Sequence, residues 1–334
     1  MHIEIFNWLE SITGMRQCNS TGEFIYDHME SQSGECLPVI YKEFDPTNRS
    51  HFADRAQILD FLMSTSNGSI LDFGPGDGWP SLLLAPFVKK VIGVEGSEKR
   101  FDVCNRNAKR LSITNAEFRY IPSGTPLPFQ DCTFDGAVAA SSIEQTPDPF
   151  QTLKELFRVL KPGGKLRIHY EDLDQYKDGK QYEYHIFEQN KRTHVIIYNR
   201  NFKEESVRQY RLTFNILKSE FEKIDNQTDK SDSSFDLNLA ALKRLEGNLE
   251  ECCFLDTKHP SCKTYTKWME KIGFNSIRAT YDGGGFAAKL FDNLPLSKRP
   301  QSIEEVDDLL RPLTRVVVEM DAPLKINPWI VAVK

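Results

Sequence analysis

The chain has 334 residues, 40% of them hydrophobic and 27% charged, enough for a sizeable globular core and more than one average domain. Its 42 basic and 48 acidic side chains leave a net charge of −6 at pH 7, which disfavours a protein that grips nucleic-acid phosphates. No apolar run approaches bilayer-spanning length and the N-terminal stretch lacks the basic start of a signal peptide, so the expected address is the cytoplasm, with no membrane association.

Residues 1–50 read as an N-terminal cap. From 51 to 171 helical and strand patterns alternate. HFADRAQILDFL has an apolar helical face, and SILDFG, VIGVEG, EFRYI, GAVAAS and KLRIHY are short strand-like runs with helical segments between most of them. Such alternation predicts an α/β, doubly wound sheet, mostly parallel, with helices on both faces. Residues 172–260 break the pattern. QYEYHIFEQ and THVIIYNRN predict a hairpin turning at Asn190-Lys191-Arg192. Val207, Tyr210, Phe214, Leu217, Phe221 and Ile224 recur at steps of three and four, predicting an amphipathic helix opened by Asn201 and Glu204 as a capping box. DNQTDKSDSSFD reads as a mobile polar loop and NLAALKRLEGNLEECC as a further helix. This segment is expected to be an inserted lid or a homodimer element. The core resumes over 261–334: KTYTKWMEKIGF as a helix stopped by Gly273, SIRATY as a strand, a smaller insertion at 283–325, and PWIVAVK as the last strand. Within that insertion Ser302 and Glu305 predict a capping box, and Pro312 a kink or helix end.

Seven cysteines contain no C-x-x-C pair, so neither a disulfide framework nor a zinc site is expected. Cys252, Cys253, His259 and Cys262 cluster in sequence, but adjacent cysteines rarely reach one tetrahedral ion, and no metal is expected.

The informative stretch is SILDFGPGDGWPS. Gly74, Gly76 and Gly78 follow the first strand, where ligands of open parallel sheets bind and missing Cβ atoms admit close approach. Pro80 suits the first turn of a helix. About twenty residues on, the next strand ends in Glu95, placed for a ribose diol. The spacing is G-x-G-x-G rather than the dinucleotide G-x-G-x-x-G, and Asp72 and Asp77 surround it with negative charge. Carboxylates repel a pyrophosphate and suit a sulfonium carrying an amino group, which points to S-adenosylmethionine rather than NAD.

LDFGPGDGWPS followed by VIGVEGS resembles motif I and the acidic strand end of class I S-adenosylmethionine-dependent methyltransferases. TPLPFQDCTFDGAVAASSIEQTPDPFQTLKELFRVLKPGGKLRI is similar to the run found in that family's small-molecule branch, the ubiquinone/menaquinone-biosynthesis-like type 11. The resemblance covers roughly Ile70 to Arg167 and implies a seven-stranded Rossmann-like sheet. It implies that Asp72, Gly74, Pro75, Gly76, Asp77 and Gly78 hold the methionine part of the cofactor, and that Glu95, with Gly96 and Ser97 beside the adenine, takes the ribose hydroxyls. Ser123, Gly124 and Thr125 replace the acidic residue that relatives often present to the adenine amino group, and Ala139, Ala140 and Ser141 end the fourth strand beneath the cofactor.

Methyl transfer from a sulfonium needs alignment, exclusion of water and, for some acceptors, removal of a proton. Glu144, Glu171 and His169 are the candidates for the last role, each also readable as a solvated or hydrogen-bonded side chain. Tyr26, His28, Tyr41 and His51 are candidates for the acceptor pocket, or form the cap's own core, and Gln145, Tyr170 and Tyr281 are further candidates, the glycines after Tyr281 either letting a ligand approach the backbone or supplying a turn. The expected activity is methylation of a small molecule; methylation of RNA or protein, and cofactor binding without catalysis, are the alternatives.

Overall fold

The computed structural model describes residues 2–28, 38–226, 237–323 and 329–334. Most of the polar loop expected at 225–236 lies outside them, as does Cys36. Among the described residues no helix is long and apolar enough to cross a membrane. The chain divides into two compact units, one formed by Gln32–Asp172 with Pro260–Lys334, the other by Met1–Ser31 with Leu173–His259. The cap expected over 1–50 is therefore shared between both.

The larger unit contains strands β1 (Ser69–Phe73), β2 (Lys90–Glu95), β3 (Ala116–Tyr120), β4 (Phe134–Ala140), β5 (Leu160–His169), β6 (Asn275–Thr280) and β7 (Trp329–Val333). They form one sheet in the order β6-β7-β5-β4-β1-β2-β3. β7 runs antiparallel to both neighbours, and β1 to β5 pair in parallel. This is the α/β, doubly wound, mostly parallel sheet the alternation predicts, with the seven strands the resemblance implies. Its helices are α1 (Arg49–Ser64), α2 (Trp79–Leu84), α3 (Glu98–Arg110), α4 (Pro149–Val159), α5 (Cys262–Ile272), α6 (Gly283–Asn293) and α7 (Ile303–Glu319).

Strand side chains alternate between faces, and the core follows. Leu71, Ala137 and Ala139 pack with Leu153 and Leu156 of α4 and Tyr265 and Met269 of α5. Ile70 and Val138 pack on the other face with Ile58 and Phe61 of α1 and Leu83 and Leu84 of α2. Burying both faces explains why these strands read as continuous apolar runs. Helix starts are capped by side chains: Ser97 Oγ accepts from the Arg100 N–H, Asp148 Oδ1 from those of Phe150 and Gln151, and Ser302 Oγ from that of Glu305. Gly273 closes α5 at φ +113°.

Pro312 does not end its helix, because α7 runs through it from Ile303 to Glu319; packing of Val306, Leu310 and the rest of its apolar stripe on α1 and α6 outweighs the lost backbone bond. The glycine triplet in TYDGGGF is the first turn of α6, with Asp282 accepting from the Gly284 and Gly285 N–H groups at 2.9 Å.

The smaller unit is a five-stranded sheet ordered Arg16–Gln17, Leu249–Lys258, Ser206–Phe214, Arg192–Asn201, Tyr182–Gln189. The hairpin forms as expected, its turn residues Asn190 and Lys191 both left-handed at φ +53° and +59°. The helix expected from Val207 to Ile224 does not form. Residues 206–214 are a strand, and only Lys218–Asn226 is helical. Asn201 Oδ1 accepts from the Lys203 and Glu204 N–H groups as a cap would, but within the turn joining two strands. Likewise the helix expected to run to Cys253 is short, Leu239–Arg244, and Leu249–Lys258 is a strand. Strand geometry sends Cys252 and Cys253 to opposite faces, into separate apolar clusters, which keeps them from sharing an ion. Among the described residues no group of three or more metal-ligating side chains is assembled.

Candidate active site

The loop after β1 is built by backbone conformations that only glycine adopts without strain. Gly74, Gly76 and Gly78 have φ of +72°, +66° and +98°. A Cβ at Gly74 would strike Ser142 Cβ, whose own Oγ donates to the Phe73 carbonyl at 2.5 Å. Glu95 at the end of β2 stitches the loop: its Oε2 accepts from the Gly76 N–H at 2.9 Å and its Oε1 from the Ser97 N–H at 3.0 Å. Gly96 adjoins Ser123 across the ends of β2 and β3, with 3.5 Å between the Cβ that Gly96 lacks and that of Ser123. Gly124 is left-handed, and Thr125 Oγ1 donates to the Pro122 carbonyl at 2.7 Å. The structure thus brings all the nominated residues from Asp72 to Thr125 to the carboxyl ends of three adjacent strands.

Asp72 is fully buried. Its Oδ2 accepts from Ser81 Oγ at 2.6 Å, while its Oδ1 has no hydrogen-bond partner among the described residues. Burial, with Glu95 and Asp77 close by, pushes its carboxyl up to about 7. Burial also raises Asp77 and Glu95, and the Arg100 guanidinium works in the opposite direction on both. Three crowded carboxyls, one with an orphaned oxygen, make a receptor for positive charge. That donor set fits the amino and sulfonium groups of S-adenosylmethionine.

Sequence reasoning missed a second layer. On α3, Arg100, Cys104 and Asn107 follow helical spacing and reach the loop together. Cys104 Sγ donates to the Gly76 carbonyl at 3.3 Å and Asn107 Nδ2 to the Asp77 carbonyl at 2.8 Å, while Arg100 Nη1 would lie 3.4 Å from a Cβ on Gly76. The i, i+4, i+7 spacing after the acidic strand end was the available signal. Ser81, on the first turns of α2, was legible only through its bond to Asp72.

The ends of β4 and β5 form the neighbouring region. Ser141 is left-handed at φ +51°; its N–H donates to the His169 carbonyl at 2.9 Å, and its Oγ lies 3.1 Å from His169 Nδ1. His169 stacks on Trp329 at 4.7 Å, and burial with Arg167 nearby lowers its pKa. Glu144 is 1% exposed. Its Oε1 accepts from the Glu171 N–H at 2.9 Å, bridging the two strand ends, and its Oε2 has no partner among the described residues. Burial pushes Glu144 up to about 7. Gln145 turns back to donate to the Ser141 carbonyl at 2.5 Å.

The acceptor candidates scatter. Tyr170 is buried against Tyr265 in the sheet's core. Tyr41 donates its hydroxyl to the Leu82 carbonyl at 2.5 Å. His51 is buried on α1 against Phe44. Tyr281 follows β6, and its carbonyl accepts from Arg167 Nη2 at 3.0 Å within a buried network in which Arg167 also makes a bidentate pair with Asp60. Tyr26 and His28 belong to the smaller unit, where His28 Nε2 lies 2.9 Å from the Glu23 carbonyl oxygen.

The family profile described as a methyltransferase domain matches residues 71–168. A demethylmenaquinone methyltransferase of Lactococcus lactis is 31% identical over 145 residues, 41% of this chain and 57% of that protein. A sterol 4-C-methyltransferase of Caenorhabditis elegans is 33% identical over 129 residues, 37% of this chain and 38% of that one. The matched segment thus spans less than two thirds of either relative. Among solved structures, an S-adenosylmethionine-dependent methyltransferase from Clostridium acetobutylicum aligns over 88% of this chain and 93% of its own, with a TM-score of 0.47 and 10% identity.

Proposed function

We propose, for a chain whose residues 71–168 belong to the methyltransferase domain family, that the protein binds S-adenosylmethionine and methylates a small-molecule acceptor by in-line transfer. The observation that carries this reading is the joint geometry of the left-handed glycine loop, its stitch to Glu95, and the orphaned oxygen of buried Asp72. The relatives named for a quinone and a sterol acceptor support the small-molecule class.

When bound, the cofactor supplies an activated methyl group on a sulfonium. Asp72 and Asp77 receive the positive methionine end, Glu95 the ribose hydroxyls, and Gly96, Ser123, Gly124 and Thr125 flank the adenine. Gly74 and Gly76 keep the loop open to close approach. Ala139, Ala140 and Ser141 floor the reacting region, and Gln145 holds the Ser141 carbonyl in place. At the adjoining strand ends Glu144 offers its unpartnered oxygen for an acceptor proton. Its carboxyl, raised to about 7, is matched to exchange protons near neutrality, and such base catalysis contributes roughly 10²–10⁴-fold. Glu171 and His169 border the same end and orient the acceptor.

Calorimetric titration with S-adenosylmethionine and with its demethylated product tests the reading. Dissociation constants near 1 μM, about −8 kcal/mol, are expected for both. No heat with either ligand, together with binding of NAD, overturns it.

A further inference from the structure

The smaller unit holds a pair of thiols that the proposed activity does not use. Arg16 is in register with Cys253 and Gln17 with Phe254 in a parallel pairing, and the Cys18 N–H donates to the Phe254 carbonyl at 2.8 Å. Residues two apart on a strand share a face, so Cys18 lies on the face that carries Cys253. Both are buried in one apolar cluster with Phe24 and Leu255. From the neighbouring strand Arg211, itself 2% exposed, donates from Nε to Cys253 Sγ at 3.4 Å while its Nη2 donates to Glu251 at 2.9 Å.

We infer that Cys18 and Cys253 are an oxidant-sensitive dithiol, a modification site that closes to a disulfide on exposure to a hydroperoxide. The neighbouring Cys18 thiol and the Arg211 guanidinium favour the Cys253 thiolate and pull its pKa down to about 7, whereas burial pushes Cys104, Cys252 and Cys262 up. Access comes through the pairing of Arg16 and Gln17, a two-residue edge strand exposed along its length, which opens more readily than the sheet's interior. The Cys253 thiolate attacks the peroxide oxygen, breaking the O–O bond to give a sulfenic acid and an alkoxide or hydroxide, which takes up a proton. The Cys18 sulfur then displaces the sulfenic oxygen as water. Two thiols and one hydroperoxide become a disulfide, one water and one alcohol, or a second water when the oxidant is hydrogen peroxide. The bridge would covalently fasten the N-terminal segment to the strand Leu249–Lys258.

The full chain treated with hydrogen peroxide at pH 7 and digested without reductant should yield one linked peptide pair containing Cys18 and Cys253, with the loss of two hydrogens, reversed by a phosphine. Cys18→Ser should stop at a sulfenic acid that dimedone traps on Cys253. Arg211→Lys should slow bridge formation about tenfold, as the thiolate fraction falls. Exposed Cys132 reports that oxidant is present. Oxidation of Cys132 while Cys18 and Cys253 stay alkylatable, a bridge between any other pair, or an unchanged rate in Arg211→Lys overturns the inference.

Discussion

Two wholly buried carboxyls stand at the carboxyl edge of the large sheet, Asp72 ending β1 and Glu144 just beyond β4. Each has one satisfied and one unpartnered oxygen, and each is raised to about 7 by burial. Their surroundings differ. Asp72 is held by the hydroxyl of Ser81 and crowded by Asp77 and Glu95, so its strand end accumulates negative charge awaiting a cation. Glu144 is held by a main-chain N–H, and a half-buried imidazole and a serine hydroxyl stand at the same strand ends. On the function proposed above, the same residue chemistry would serve binding in one place and proton exchange in the other, decided by what lies around it.

The comparison breaks most visibly in turnover. Glu144→Gln keeps the oxygen that accepts from Glu171 and removes the proton acceptor. Methyl transfer from labelled cofactor should fall about 10²–10⁴-fold with cofactor affinity unchanged; a wild-type rate would make the β4 end a purely structural clamp. Next in size, Gly76→Val puts a branched side chain at φ +66°, against Arg100, and should weaken cofactor binding more than about 100-fold by calorimetry. Retained affinity would detach the glycine loop from the cofactor.

Asp72→Asn sharpens the contrast through pH. The folded pKa near 7 lies above the ordinary 3.8, so this carboxyl's contribution to stability is full below about pH 4 and lost as pH rises through 7. Above pH 8 the amide variant should be more stable than the wild type, by roughly 4 kcal/mol in denaturant unfolding, and the difference should vanish towards pH 4. Its cofactor affinity should drop over the same range, because the charge that burdens the fold is the one that binds. A pH-independent difference would mean Asp72 is ionised throughout. Smallest is Tyr41→Phe, which removes the bond to the Leu82 carbonyl. It should cost about 1 kcal/mol of stability and leave cofactor binding unchanged; a binding defect would restore Tyr41 to the site.

The larger unit was legible because a parallel sheet buried on both faces leaves continuous apolar runs between helices, and glycines mark the one loop where the backbone must turn left-handed. In the smaller unit the hairpin was legible, but the two strands that follow it read as helices. In Ser206–Phe214 the sequence does carry a strand signal, Tyr210, Leu212 and Phe214 alternating with Arg211 and Thr213, but it lasts only five residues and a longer helical series overlies it. Val207, Tyr210 and Phe214 on that strand happen to continue in step with Phe221 and Ile224 on the following helix, and the series imitates one helical stripe. Asn201 compounds the error, since an asparagine bonding two main-chain N–H groups ahead looks alike at a helix start and in a hairpin turn. At the site, the cofactor loop could be read from backbone demands, whereas Ser81, Cys104 and Asn107 act through contacts made only after folding.

The pairing of Arg16 with Glu251 joins residues 235 positions apart. On a ribosome moving at about 5–20 residues per second, the first thirty residues wait roughly ten to fifty seconds for the strand they dock against. During that interval Phe6, Trp8, Leu9 and Phe24, all buried in the finished protein, have no native surface to cover them. This N-terminal segment is therefore made long before the strands it packs against, and until then it must be kept from sticking elsewhere.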